Sequence, residues 1–524
     1  MKRFHYPAAW TACLLLLVMM TGLFASCGKK EISVTMHVAD LPEDLDPQTT
    51  SDPAAELILI NVMEGLTRLD ASGKPVLAAA DRCETSDDAL TWRFHLKPSQ
   101  WSDGEPVRPE DFVFAIQRLF DPATGVLRDA QRFSALRNSS DVMKGKLPVG
   151  NIGVWSDGED VVFSLTRPEP DLPKLLAGIR TLPCRRDFFE KTAGSYGLDR
   201  QQLVYNGPYL IRYWLDDEYF ILNANRSSAG KQLINRQVTL YAQKSEQVTR
   251  EQFRRGDINL CFGRKSQLAD LNQKKYGSLV YEDTVFCLAA QTGSGLLKDR
   301  RLRQALMLTL DRSVIPSENA GGYRPADALL PAALTDRPAE RAPEYNPQRG
   351  RELLNAYLKE HQLEKLGALT VIMPENGGHR EMLGLLQQNW QKELGVYVNL
   401  NILPDEAWQE ALKAGDFELA LMPVSAQSDD TAALLRMFLP GGACDCFGFR
   451  STEFADALKR AEKASGEERT GLYGTCCEIL RDSAGIAPLY AFQSVCVYDA
   501  ELAGIEISPF GRRIYFASAG TEFK

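Results

Sequence analysis

Histidine is scarce in this chain: there are five in 524 residues. His5, His37, His95, His361 and His379 stand singly, with no HExxH and no paired-ligand spacing, so no metal site is expected. GxSxG, a P-loop and a GxGxxG after a strand are also missing. Nucleophile-and-base chemistry and nucleotide chemistry therefore have no motif to rest on, and neither a catalytic residue nor a cofactor is expected. No cluster of Lys and Arg is dense enough to neutralise a run of phosphates, and the formal net charge is −9, which excludes nucleic acid as a partner. Internal repeats and low-complexity tracts are absent too.

Long apolar runs are nearly absent. The one from Ala12 to Met20 follows Lys2 and Arg3 and ends in the small residues Ala25 and Ser26; it is too short for a comfortable membrane span and reads as a secretory signal peptide over residues 1–26. Phe24-Ala25-Ser26-Cys27 resembles a bacterial lipobox, which implies that Cys27 is lipidated and becomes the first mature residue. Residues 27–31 would then be a short tether to the bilayer, and the protein would sit outside the cytoplasm. Of eleven cysteines, Cys13 lies in the signal and Cys27 is the lipid site. The nine that remain show no zinc-ribbon spacing, and most are read as small buried hydrophobes.

What is present is the material of a soluble globular protein, 44% hydrophobic and 25% charged, in a chain too long for one core; two or three domains are expected. The most ordered stretch is Thr91 to Phe120. Trp92, Phe94 and Leu96 alternate with Arg93, His95 and Lys97 as in a half-buried strand. Ser102-Asp103-Gly104 supplies a turn. Pro109 then opens a helix with Glu110 and Asp111 at its positive end and an apolar stripe of Phe112, Ala115, Ile116, Leu119 and Phe120.

WSDGEPV..EDFVFA.QRL, preceded by W.F.L, closely resembles the signature of the family 5 solute-binding proteins, the oligopeptide- and dipeptide-binding receptors of ABC importers. Further elements follow in the family's order: LDP at 45–47, EGL at 64–66, Asn206-Gly207-Pro208-Tyr209, Asp299 to Ile315 as a helix, Tyr345-Asn346-Pro347, and Ile486 to Tyr490. The resemblance spans about residues 32 to 515. It implies an α/β, two-lobed periplasmic-binding-protein-like fold with the ligand in the cleft between lobes. Domain I would comprise 32–63, 191–285 and 496–524, domain II 64–190, and domain III 286–495. It further implies capture of an oligopeptide or related solute without catalysis, an ABC permease as partner, a lipid bilayer reached through Cys27, and a monomeric receptor. A non-transport receptor that keeps the fold is the alternative.

Counting within the matched motifs places Ser51, Asp52 and Pro53 beside the ligand backbone, where Pro53 offers no N–H. Trp408 matches a family Trp in the cleft wall, the other reading being a Trp that packs its helix. Pro423 and Val424 fall where peptide receptors carry Gly-Trp, Ser425 follows them in the expected ligand-binding set, and Gln427 falls where those receptors carry the Asp that pairs with the ligand's α-ammonium. A neutral amide at that place could cost a few kcal/mol of binding to an amine. Asp429 or Asp430 takes over the ammonium, the ligand has no free amino terminus, or the acidic pair is an Asx-type turn and helix cap.

Overall fold

A single mixed sheet of 11 strands runs through the molecule. The computed structural model describes residues 32–517 except 39, 51, 53, 228–232, 234, 265–274, 317–321, 376–377, 427–428, 503, 509 and 511–512. The expected signal peptide, Cys27 and its tether, Ser51, Pro53 and Gln427 lie outside the described residues.

Ten strands of the sheet carry the path: β1 (Ile32–Val38), β2 (Tyr209–Leu215), β3 (Tyr219–Ala224), β4 (Asn235–Ala242), β5 (Leu260–Arg264), β6 (Tyr276–Ala290), β7 (Leu369–Pro374), β8 (Val398–Leu403), β9 (Leu419–Ser425) and β10 (Ile486–Asp499). Their spatial order is β8-β7-β9-β6-β10-β5-β1-β4-β3-β2, with the short strand Tyr323–Pro325 paired to β10. Alternation sets the faces: Val34 and Met36 of β1 are buried, as are Phe220 and Leu222 of β3. At one end these side chains close a core around Tyr209, Leu240 and Leu260, here labelled domain I. At the other end β7, helix His379–Leu394 and β8 form a β-α-β unit, with β7 and β8 parallel and Trp390, Leu386 and Met382 buried in its core. That end is labelled domain III.

A four-stranded antiparallel sheet, in the order Ala80–Thr85, Thr91–Leu96, Asp160–Ser164 and Val154–Asp157, stands apart from the large one. Phe94 pairs with Val161 at its centre. Helix α1 (Pro109–Phe120) covers it with Phe112, Ile116, Leu119 and Phe120. This is domain II. The fully buried Trp101 donates its Nε1–H to Asp111 at 3.0 Å, and the same carboxylate oxygen accepts the Arg108 backbone N–H at 3.0 Å, so one Asp closes both the turn and the start of α1.

Domain II is not independent of domain I. Ala115 of α1 packs in the domain I core, and Arg118, one turn on, reaches the LDP loop. Its guanidinium donates to Asp46 at 3.0 and 2.5 Å and to Gln48 at 2.6 Å, and lies 4.0 Å over the Phe189 ring. Both partners are buried. Two motifs separated by more than sixty residues are thus one ion pair.

Asp46→Ala or Arg118→Ala leaves the opposite charge buried and unpaired; each is expected to lower unfolding free energy by about 3–5 kcal/mol, whereas the double Leu replacement is expected to lower it less than either single change. Denaturant midpoints of the three variants measure this. Asp111 gives a pH signature. Burial raises its carboxyl from about 3.8 to about 6 against the two N–H donors. The unfolded chain releases this proton at lower pH than the folded one, so the group's cost to stability grows as pH rises from about 4 to 6, to about 3 kcal/mol, and then stays constant. The Asp111→Asn protein should lack that slope in thermal unfolding measured across the window.

Candidate functional site

Two strands connect the halves of the large sheet, and their pairing slips where they pass between cores. β6 and β10 run in register from Tyr276↔Asp499 to Tyr281↔Ser494 and resume at Thr284↔Phe492. Glu282 and Asp283 therefore oppose the single residue Gln493, which is a β-bulge, a place where a strand bends. The Glu282 carboxylate accepts Arg324 Nε at 2.6 Å, a second Arg324 nitrogen, and Gln493 Nε2 at 3.0 Å. Burial pushes this carboxyl up, but the Arg324 and Gln493 donors outweigh it and hold it below the usual range. The Asp283 carbonyl accepts the Ala426 N–H at 2.8 Å, so the same bulge carries the loop that follows β9.

β9 and that loop together account for six of the ten expected ligand residues. β9 pairs with β6 along its length, Pro423 opposite Phe286, but meets β7 only at Leu419 and Ala420. Beyond Ala420 one side of β9 has no strand partner among the described residues. Pro423 sits on this stretch, where a missing N–H breaks no ladder bond. Val424 is fully buried in the core of domain III, and Ser425 Oγ lies 2.9 Å from Thr284 Oγ1. Trp408, in helix α2 (Asp405–Ala414), is buried against Ile372 and Ala420 and donates to the Leu421 carbonyl at 3.2 Å; it packs α2 onto the sheet. Across the molecule, Asp52 Oδ1 accepts the Ala54 N–H at 2.8 Å, just before helix Ala55–Val62.

Of the acidic pair, Asp430 caps helix α3 (Thr431–Arg436): Oδ1 accepts the Ala433 N–H at 2.9 Å. Its other oxygen faces Arg436 at 3.6 Å and, from domain II, Arg132 at 3.8 Å. Asp429 is buried and accepts Thr335 N–H at 2.9 Å and Thr335 Oγ1–H at 2.5 Å. Its side chain also presses on the domain II hairpin. Gly73 there has φ +78°, and a Cβ at that position would lie 2.9 Å from Asp429 Cβ. A second seam contact joins Arg469 to Asp171 at 2.9 Å. The loop after β9 is therefore where domains II and III meet.

Sequence reasoning passed over Glu282, Arg324, Gln493 and Thr335, which no local pattern marks. It passed over His379 as well. That ring is buried, with Nδ1 3.1 Å from Tyr490 Oη and its centroid 4.4 Å from Phe286, directly behind Pro423's partner. Among the described residues nine cysteines are unpaired, seven of them buried. Among the described residues no three His, Cys, Asp or Glu converge as metal ligands. A cavity of about 50 Å³ between domains I and II, lined by Met63, Glu64, Arg68, Glu506, Arg513 and Tyr515, has room for a few waters and is too small for a peptide.

Residues 74–443 match the family described as "Bacterial extracellular solute-binding proteins, family 5 Middle". The chain is 24% identical over 468 residues to the dipeptide-binding protein of Lactococcus lactis subsp. cremoris, covering 84% of this chain and 85% of the relative. It is 27% identical over 469 residues to the periplasmic oligopeptide-binding protein OppA of Salmonella typhimurium, covering 86% and 85%. A probable deoxycholate-binding periplasmic protein, YgiS of Escherichia coli, is 26% identical with 86% of each chain covered. The fold is that of the Listeria monocytogenes OppA bound to peptide, with TM-score 0.73, 20% identity and coverage of 95% of this chain and all of that one. The Escherichia coli murein tripeptide binding protein MppA superposes with TM-score 0.74 at 22% identity, covering 93% and 98%.

Gly73→Ala forces a side chain into left-handed backbone and into Asp429. We expect a stability loss of about 1–2 kcal/mol from the backbone alone. In addition, X-ray scattering should report a larger radius of gyration, because the added methyl pushes domains II and III apart where they now touch; an unchanged radius with the stability loss would confine the effect to the hairpin.

Proposed function

Because this chain belongs to the family 5 bacterial extracellular solute-binding proteins, we propose that it is the solute-binding component of an ABC importer, capturing an oligopeptide or a related solute between two lobes and delivering it to a membrane permease. The protein performs no chemistry on the solute, and the energy of transport comes from the importer's ATPase. It acts as a monomer on the extracytoplasmic side, held to the membrane by lipid on Cys27.

The observation that carries this reading is the bulged crossing of β6 and β10 between two cores, in a chain whose family relatives are named for binding peptides. Hinge closure needs few connections and a place for them to bend. The open side of β9 from Leu421 to Ser425 offers main-chain groups to an extended ligand, as an added strand would use them. Asp52, Trp408, Pro423, Val424, Ser425, Asp429 and Asp430, with Ser51, Pro53 and Gln427 outside the described residues, are the proposed ligand-binding set. Within it Asp429, Asp430 and Asp52 are already engaged by backbone or hydroxyl donors, and Val424 and Trp408 act from behind the surface.

A library of di- to pentapeptides and small solutes, screened by thermal shift and Trp fluorescence, is expected to contain ligands that raise the melting temperature and shift the emission. At a hundredfold excess over Kd the stabilisation should be about 2.7 kcal/mol. A screen of that breadth with no shift would overturn the reading.

A further inference from the structure

Cross-strand register sorts the side chains of β9, β6 and β10 next to the bulge onto two faces. Val424, Val285 and Ala491 stand in one row and are buried in the domain III core. The rows on either side of it point to the opposite face: Ser425, Thr284, Phe492 and Tyr323 in one, Pro423, Phe286, Tyr490 and Pro325 in the other. Tyr323 and Tyr490 are buried, whereas Phe286, Phe492, Pro423, Thr284 and Ser425 are only half-buried, so these five form a shelf. The bulge follows on one side, and Tyr281 beyond it belongs to the domain I core. The shelf therefore lies at the crossing between the lobes, on the strand whose far side is open beyond Ala420. It is firmly backed: ring centroids are 4.4 Å apart for Phe286 and His379, 5.7 Å for Phe492 and Tyr323, and 4.7 Å for Tyr323 and Tyr490. Aromatic area held in place in this way binds an apolar group with little further ordering.

The carboxylates around the shelf serve donors of the protein itself. Glu282 holds Arg324 and Gln493. Asp283 accepts the Thr284 hydroxyl at 3.2 Å, whose oxygen lies 2.9 Å from Ser425 Oγ. Asp429 is buried with one oxygen on the Thr335 N–H and the other on the Thr335 hydroxyl, and Asp336 accepts the Thr431 hydroxyl. Asp430 caps its helix with one oxygen and faces Arg436 and Arg132 with the other. In domain I, Asp44 and Asp52 each accept a backbone N–H, from Asp46 at 2.7 Å and from Ala54 at 2.8 Å. An ammonium group brought onto the shelf would give up its water and then compete with these donors, with three arginines already among them. An apolar group meets no such cost.

We propose that the solute of this receptor carries a large apolar group and no free ammonium, and that the apolar group rests on the shelf of Phe286, Phe492 and Pro423. This deepens the reading of solute capture between two lobes and rests on it. The test uses di- to pentapeptides without Lys or Arg, each prepared with a free amino terminus and with that terminus acetylated, and small solutes sorted by the same two features; affinity is read by isothermal titration. Acetylated members with a large apolar side chain are expected to bind at least about tenfold more tightly than their free-amine counterparts. Phe492→Ser is expected to weaken those binders by about tenfold; where that variant folds poorly, the native protein's preference still decides. Equal affinity for the two forms, tighter binding of the amines, or binders no richer in large apolar groups than the library overturns the proposal and leaves solute capture standing. Full affinity in a folded Phe492→Ser protein overturns the shelf as the site. No binding by any member overturns solute capture and the proposal together.

Discussion

Every relative motion of the two lobes has to pass through β6 and β10. They are the two long strands of the sheet, 15 and 14 residues, and each is shared between cores. Regular ladder on both sides resists bending, because a bend there would strain paired N–H and C=O groups. The ladder is already broken at two places, the bulge at Glu282 and Asp283 and a second slip between Phe286 and Cys287, where Leu489 of β10 is the extra residue; the first of them carries a carboxylate. A carboxylate placed there would be costly to bury alone, and Arg324 with Gln493 satisfies it. Arg324 belongs to the strand Tyr323–Pro325 that lies on β10, so the clasp ties the bulge to the domain III side and leaves the domain I side free to turn about it.

The other lobe is made rigid differently. Asp46 and Arg118 are buried together, with Gln48 and the Phe189 face completing the guanidinium's surroundings. The LDP loop, α1 and the residues before β2 are thereby one body, although they belong to separate cores. Ala115, beside Arg118's turn, packing into the domain I core has the same consequence. A lobe built this way presents the residues around Asp52 on a fixed support, which a closing cleft needs on at least one side.

How far the chain was legible depended on the range of each interaction. Local patterns carried: the stripe of α1, the Asn346 cap whose side chain accepts the Arg349 N–H, the β-α-β unit and the Asp430 cap were all written within a few residues. The helix read as Asp299 to Ile315 runs only from Arg300 to Leu308. Leu310 and Ile315 continue its apolar pattern and are buried, but the Thr309 hydroxyl bonds the Ala305 and Leu306 carbonyls and Asp311 caps a separate short turn at Ser313, the competition from Thr and Asp that ends helices. Site chemistry was less legible for the opposite reason. Glu282 meets Arg324, Asp429 meets Thr335 and Gly73, and Arg469 meets Asp171 across separations of tens to hundreds of residues, where no spacing rule applies. Motif order supplied the family and the fold; it could not supply the partners of a charge.

The seam between domains II and III bears on what sets closure. Arg132 is 53% exposed and stands 3.8 Å from Asp430, and Asp171, 47% exposed, is the wet half of its pair with Arg469. Ion pairs of this kind are worth about 0–1 kcal/mol each. The Gly73–Asp429 contact is small. Together these hold the lobes together only weakly, so without solute the closed arrangement has little to favour it over an opened one. A ligand can shift such an equilibrium only by its difference in affinity between the two states, and a weak seam leaves nearly all of that difference to the groups that line the cleft. In the proposed ligand-binding set those groups are a strand edge interrupted by Pro423 and carboxylates already engaged at Asp52, Asp429 and Asp430. On that proposed site, closure would draw on main-chain and apolar contacts with the solute more than on charge pairing, with the weight of recognition on the edge of β9 beyond Ala420.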